Sequence, residues 1–174
     1  KFHRHFLLVC SNSWILLLPV KGNQKIIDAL NGLLPGELTS MDQYFYYSRV
    51  LHDQGIQKLY ERIAHEMDDE KEHASMLIER ILFLGGSPVI GNRKALNTST
   101  DVREMLEHSL RCELDIVAHL REVITLCETE RDFVTREILL KLLDDTEHDH
   151  THWLEQQLGL IDRMGIRNYI ESQS

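Results

Sequence analysis

The fold of this chain is decided by residues 65–74, which read HEMDDEKEHA. Apolar residues on either side of this stretch recur at helical spacing, and the same row continued through it reaches Glu70 and, beside it, His73. A carboxylate and an imidazole three residues apart therefore share the inward face of one predicted helix. Because a charge buried without a partner is costly, Glu70 requires a compensating positive charge inside the fold.

The same interruption of an apolar row occurs in three other predicted helices. One of them carries a second Glu-x-x-His at Glu147 and His150, and the other two have a single central glutamate, Glu113 and Glu37 respectively. Four glutamates and two histidines that point into one bundle core are the ligand set of a di-iron or di-manganese carboxylate site. Oxygen ligands with one nitrogen per metal suit iron or manganese better than a metal that prefers thiolates. One Glu-x-x-His alone is common on exposed helices, so it is the combination that predicts a metal centre.

Composition places the chain in the all-α class and limits what it binds. A chain of 174 residues forms one domain that can bury a sizeable core, and only three prolines interrupt it. The net charge of -9 argues against a nucleic-acid partner, which requires a basic face, and favours cations. Three cysteines do not make a disulfide framework, so we expect a reducing, cytoplasmic location. The apolar run near the N-terminus is too short to cross a membrane.

Start and stop signals predict four long helices and a short fifth one. Residues 85–88, GGSP, end the second helix, and residues 85–99 form an aperiodic connection long enough to cross the bundle between parallel neighbours. Pro35 predicts a kink just before Glu37, and Gly159 separates the fourth helix from the fifth. We expect the helices at about residues 23–54, 56–84, from a cap at 99–101 to 128, from 131 or 132 to 158, and 161–172.

From about residue 21 to residue 174 the chain resembles the bacterioferritins, a bacterial branch of the ferritin-like superfamily. The matching strings are GEL at 36–38, DQY at 42–44, IERILFL at 78–84, DFV at 132–134, WLE at 153–155, MG at 164–165 and NY at 168–169. The resemblance implies a ferritin-like four-helix bundle with a long crossover and a short fifth helix, assembled into a hollow 24-subunit cage. It also implies iron storage and detoxification, with Fe(II) oxidised by O2 or H2O2 at a ferroxidase centre inside each subunit.

The resemblance includes all six ligand positions and assigns a role to each. It implies terminal carboxylates at Glu37 and Glu113, bridging carboxylates at Glu70 and Glu147, and one nitrogen per iron from His73 and His150.

Three further residues are singled out by the resemblance. Tyr44 matches a tyrosine beside the family's di-iron site, where it donates either an electron or only a hydrogen bond. His65 and Asp69 match positions that hold an additional iron on the inner cage surface in some members, and they lie one helical turn apart. A solvated polar face is an equally good interpretation of that pair.

Lys71 marks a departure from the haem-binding members of the family. Those members carry a methionine immediately after the second helix's ligand glutamate, and here that position is Lys71, whose ammonium group has no lone pair for iron. Met67, on the core-facing row, is a poor substitute. We therefore expect a subunit without its own haem ligand, which works without haem or co-assembles with a haem-binding subunit.

Residues 1–20 differ in composition from the rest of the chain. Basic residues at 1–5 precede a largely apolar run at 6–19, which resembles a weak signal peptide without a cleavage site. The family's chains begin Met-Lys-Gly, and residues 20–22 here read VKG. We interpret residues 1–20 as an extension or a misplaced start and assign residues 21–174 to the ferritin-like domain.

Two other functions fit the same helices. A ferritin-like di-iron peroxidase or oxygenase that stores nothing would use the same site, although the chain has no rubredoxin-like Cys-x-x-Cys module. A helical bundle without metal would act as an adaptor or structural subunit, and it would have no use for six ligand-type residues aligned in its core.

Overall fold

A computed structural model describes residues 22–174, so the predicted extension at residues 1–20 lies outside the described part. The regular elements of residues 22–174 are all helical. They are α1 (Gln24–Asp53), α2 (Gln57–Phe83), α3 (Val102–Thr129), α4 (Phe133–Asp145), a π-helical turn (Thr146–Thr151, called the π turn), α5 (His152–Met164) and α6 (Ile166–Gln173). Because α4, the π turn and α5 are continuous, they form the fourth long helix of the bundle. The all-α four-helix bundle with a short fifth helix is confirmed.

Local signals in the sequence explain most helix ends. Asp101 caps α3, since its carboxylate accepts a hydrogen bond from the Glu104 backbone N–H at 2.9 Å, as the sequence predicts for residues 99–101. Gly55, with φ at +74°, turns the chain between α1 and α2 in a conformation that other residues rarely adopt. Gly159, however, does not end the fourth helix, which continues to Met164 because a single glycine inside a helix costs only about 1 kcal/mol. The break occurs instead at Gly165, where φ is +78°.

The crossover between α2 and α3 is fixed along α1 by polar side chains. Gln43 is buried and makes two hydrogen bonds to the backbone of Asn97. Its side-chain Nε2 donates to the Asn97 carbonyl at 2.9 Å, and its Oε1 accepts from the Asn97 N–H at 2.8 Å. Asn31 accepts from the Val89 N–H at 2.8 Å, nearer the start of α1. Later residues of the crossover therefore contact later residues of α1, so the crossover runs parallel to α1. It returns the chain to the end of the bundle at which α2 begins. This connection makes α2 and α3 parallel, as in ferritin-like topology.

The bundle core consists of two apolar clusters with a buried polar layer between them. The first cluster includes Leu30, Leu77, Leu120 and Leu139, and the second includes Ile63, Leu106, Leu154 and Tyr169. The helix segments between the clusters carry buried glutamates and histidines. Each fully buried Leu or Ile contributes about 1.5–3 kcal/mol, so the two clusters together offset the cost of the polar layer. No helix within residues 22–174 is both long and apolar enough to cross a membrane.

Gln43→Ala should destabilise the bundle, because it removes both side-chain hydrogen bonds that hold the crossover at Asn97. The expected loss in the free energy of unfolding is about 1–3 kcal/mol, measured by guanidinium denaturation at matched protein concentration. Gln24→Ala, an exposed glutamine of the same helix, is the control and should have a much smaller effect. Equal losses for the two variants would show that the crossover does not depend on Gln43.

Candidate metal centre

Two groups of buried side chains meet in the polar layer and share Glu70. The Glu37 group consists of Glu37, Glu70 and His73, and the Glu113 group consists of Glu70, Glu113 and His150. Within each group the potential ligand atoms lie within 4.8 Å of one another. Glu70 turns one oxygen to each group, with Oε2 at 3.6 Å from Nδ1 of His73 and Oε1 at 3.2 Å from Nδ1 of His150. In this position Glu70 would contact an ion in each group.

The spacing of the ligand atoms fits coordination better than direct hydrogen bonding. Nδ1 of His73 lies 3.6 Å from Oε2 of Glu37, and Nδ1 of His150 lies 3.7 Å from Oε2 of Glu113, both too long for a hydrogen bond. Two atoms that each lie about 2.1 Å from one ion are separated by roughly 3.0–4.2 Å, depending on the angle between them at the ion. The two imidazoles also stack, with centroids 5.6 Å apart and planes at 25°. The groups are therefore spaced as two neighbouring metal sites.

Unpartnered polar atoms of the described residues concentrate in these groups. Both oxygens of Glu37 and of Glu70, Oε2 of Glu113, and Nδ1 of His73 and of His150 are buried and have no hydrogen-bond partner. An unpartnered buried polar atom costs about 1–3 kcal/mol, and more for a charged group. Bound cations would supply the missing partners of all these atoms. The two groups together offer three carboxylates, and each group has one imidazole. Such a ligand set fits iron or manganese, so the residues present suit a di-iron centre.

The buried carboxylates and imidazoles shift each other's pKa values. Burial raises the pKa of Glu37 to about 8, and the negative charge of Glu70 adds to this effect. Burial alone would lower the pKa of His73, but the facing carboxylates of Glu37 and Glu70 raise it to about 10. The pKa of His150 is likewise raised by the carboxylates around it, against the effect of burial. Without metal, the centre therefore holds protons where a dication would bind.

Tyr44 fixes the orientation of Glu113. Its hydroxyl donates a hydrogen bond of 2.5 Å to Oε1 of Glu113, which leaves Oε2 facing His150. Burial and the neighbouring Glu113 carboxylate raise the pKa of Tyr44 well above its usual value, so the phenol stays protonated and keeps donating. Of the two roles that the sequence left open for Tyr44, the structure contains the hydrogen bond.

Glu147 lies outside both groups. Its carboxylate, 32% exposed, accepts a hydrogen bond of 2.6 Å from Arg121. In an α-helix, residues three apart share a face, as Glu70 and His73 do. Glu147 and His150 lie instead in the π turn, where i→i+5 hydrogen bonds widen the turn and separate residues three apart. The structure thus brings five of the six predicted ligands together, and the bridging role of Glu147 stays a prediction.

A third cluster, which the sequence analysis largely missed, adjoins the Glu113 group. Glu66, Asp69 and Asp149 approach His150, and Oε2 of Glu66 lies 3.1 Å from its Nε2. Glu66 is buried, and this burial raises its pKa to about 7. A signal for Glu66 was present, since it precedes Glu70 by one turn on the same helix face. The predicted pair is also close, with Nδ1 of the exposed His65 2.7 Å from Asp69.

The position that bears on haem lies on the surface of α2. Lys71 is exposed, whereas Met67 is half-buried and packs against the apolar cluster that contains Ile63 and Leu106. A thioether that packs in that cluster is directed into its own subunit. The side chains at these two positions therefore do not fit a haem iron.

Glu70→Gln should weaken both metal sites, because Glu70 is the residue that the two groups share. Titration with Co²⁺ should give two ions per wild-type chain, and the affinity of both ions should fall by about 10-fold or more in the variant. Glu37→Gln should weaken mainly the ion of the Glu37 group. Glu72→Gln, an exposed neighbour, is the matched control and should bind like wild type. Two undiminished sites in Glu70→Gln would contradict the bridging geometry.

Metal affinity should rise with pH, because His73 and Glu37, with pKa values of about 10 and about 8, hold protons that a cation must displace. Between about pH 6 and about pH 8 these groups still hold most of their protons in the metal-free centre, so each bound Co²⁺ should displace about one proton or more. Co²⁺ binding should therefore tighten as the pH rises through this range. Calorimetry in two buffers of different ionisation enthalpy measures this release. An affinity that does not change with pH would show that the groups bind metal without losing protons.

Comparison with known proteins places these features in a family. The sequence model of the ferritin family, described as a ferritin-like domain, matches residues 27–164 of this chain. The bacterial ferritin of Synechocystis is 48% identical over 154 residues, which cover 88% of this chain and 99% of the relative. The bacterial ferritin of Pseudomonas aeruginosa is 51% identical with the same coverage, and the bacterioferritin of Brucella melitensis is 35% identical over 150 residues, 86% of this chain and 92% of the relative. The chain belongs to the ferritin family.

Proposed function

We propose that this protein stores and detoxifies iron by oxidising Fe(II) at the paired metal groups and keeping the Fe(III) as a mineral inside a protein cage. The observation that carries the proposal is the sharing of Glu70 between two buried Glu–His groups. The relatives named bacterial ferritin and bacterioferritin support it, since this chain aligns with nearly their whole length.

The ligand set favours oxidation of the substrate. Two Fe(II) ions held side by side give up two electrons together, which suits the reduction of O2 to H2O2 or of H2O2 to water. Carboxylate oxygens stabilise Fe(III) more than Fe(II), so the groups around Glu70 make electron loss favourable. Tyr44 keeps Glu113 oriented toward the ions during this step. The acidic cluster of Glu66, Asp69 and Asp149 lies beside the Glu113 group, where it provides a next position for iron.

Assembly into a 24-subunit cage is the second element of the proposal. Large apolar side chains are exposed at several places on the subunit, including Phe45, Phe83, Ile90, Phe133 and Val134, each at least 55% exposed. Some of them are adjacent in the sequence, as Phe133 and Val134 are, and contiguous exposed apolar surface favours burial between subunits. The short helix α6 follows the bundle directly and is available to line a pore between subunits.

We also propose that the native cage includes a second kind of subunit where haem is required. Lys71 offers no lone pair to iron, so haem would come from a partner with a methionine at that position. The cytoplasm is the proposed location, since Cys112 and Cys127 are free thiols and suit a reducing compartment.

His150→Ala and Glu147→Ala should each slow the oxidation of Fe(II) in air by about 10-fold or more, because each removes a proposed ligand. Size-exclusion chromatography should still find the assembled particle, since the apolar clusters are unchanged. His148→Ala is the control, because Asp144 is the only hydrogen-bond or ion-pair partner of this exposed side chain among the described residues.

The wild-type protein should elute as a large particle loaded with iron after aerobic addition of Fe(II). A small iron-containing protein would indicate an enzyme that stores nothing, and a protein without iron would indicate a scaffold. Near-normal oxidation by His150→Ala would contradict the proposed centre.

A further inference from the structure

Arg121 on α3 is the only partner of the Glu147 carboxylate within residues 22–174. The two side chains are joined by a 2.6 Å contact between Nη2 and Oε1, and the guanidinium makes no other hydrogen bond or ion pair in that range. Arg121 is 64% exposed, so the contact lies at the outer edge of the polar layer. We propose that Arg121 is a positioning residue, which holds Glu147 outside the centre until cations bind and then releases it to them.

This inference rests on the proposed function, and it follows from the charges of the metal-free centre. Three carboxylates of the two metal groups already share the buried layer with only two imidazoles. A fourth carboxylate brought in without a cation would add a buried negative charge that has no partner, which is costly. Arg121 supplies that partner outside the layer. Bound dications reverse the balance, because they make a fourth carboxylate favourable.

The ion pair is weak enough to be exchanged. Partly exposed ion pairs contribute only about 0–1 kcal/mol, much less than coordination of a carboxylate to a divalent ion. Glu147 is three residues from His150 on the π turn, a helix type that often occurs at functional sites. Arg121 therefore biases the position of Glu147 without locking it, and its removal should favour the metal-bound arrangement.

The test is a double-mutant cycle read by Co²⁺ calorimetry. Arg121→Gln should tighten Co²⁺ binding by about two- to fivefold, the equivalent of one partly exposed ion pair. In a Glu147→Gln background the same substitution should change the affinity little, because the side chain that Arg121 holds is gone. Arg136→Gln is the charge control, since this arginine of α4 pairs with Glu128 and Glu137 away from the centre.

Crystal structures of the metal-free and Co²⁺-loaded wild-type protein give a second readout. Glu147 should contact Arg121 in the first and Co²⁺ in the second. Retention of the ion pair in the loaded protein, an unchanged affinity in Arg121→Gln, or an equal effect of Arg121→Gln in both backgrounds would each overturn the inference while leaving the paired site intact. Failure of the wild-type protein to bind Co²⁺ would instead overturn the proposed function, and the inference with it.

Discussion

The chemistry of this protein depends on the buried carboxylate of Glu70 and the two imidazoles that face it. His73 and His150 approach opposite oxygens of Glu70 in a layer that also holds the buried carboxyl groups of Glu37, Glu66 and Glu113. Much of this layer lacks hydrogen-bond partners. Such a layer would unfold a small bundle if nothing else supported it. Apolar clusters above and below it supply the burial that keeps the four helices together. Stability therefore comes from the two ends of the bundle, and the middle is free to serve chemistry.

The same division explains how one subunit carries out storage chemistry. The centre oxidises iron in a site enclosed by four helices, where the Tyr44 hydroxyl orients Glu113 by a hydrogen bond. Acidic residues beside His150 extend the negative charge from the centre toward the outside of the bundle. In the proposed cage, exposed apolar residues elsewhere on the subunit would be buried between subunits. In this interpretation Arg121 belongs to the centre as well, because it holds the Glu147 carboxylate near the metal groups without burying its charge before cations bind.

Periodicity predicted the features that depend on regular helices. Glu70 and His73 were found because an α-helix places residues three apart on one face, and the bundle class and the capped start of α3 followed from equally local signals. The outward position of Glu147 was not predicted, because a π turn has no sequence signature and was assumed to be α-helical. The sequence analysis also expected the fourth helix to end at Gly159, but Gly159 lies inside a helix. Packing against neighbouring helices outweighed its weak propensity, and the break came at a glycine with positive φ instead.

Anomalous diffraction at the iron edge, from crystals soaked anaerobically in Fe(II), tests the central claim most directly. We expect two iron peaks in each subunit, one between Glu37 and His73 and one between Glu113 and His150, with Glu70 contacting both. A single peak, or iron only at the cluster of Glu66, Asp69 and Asp149, would contradict it.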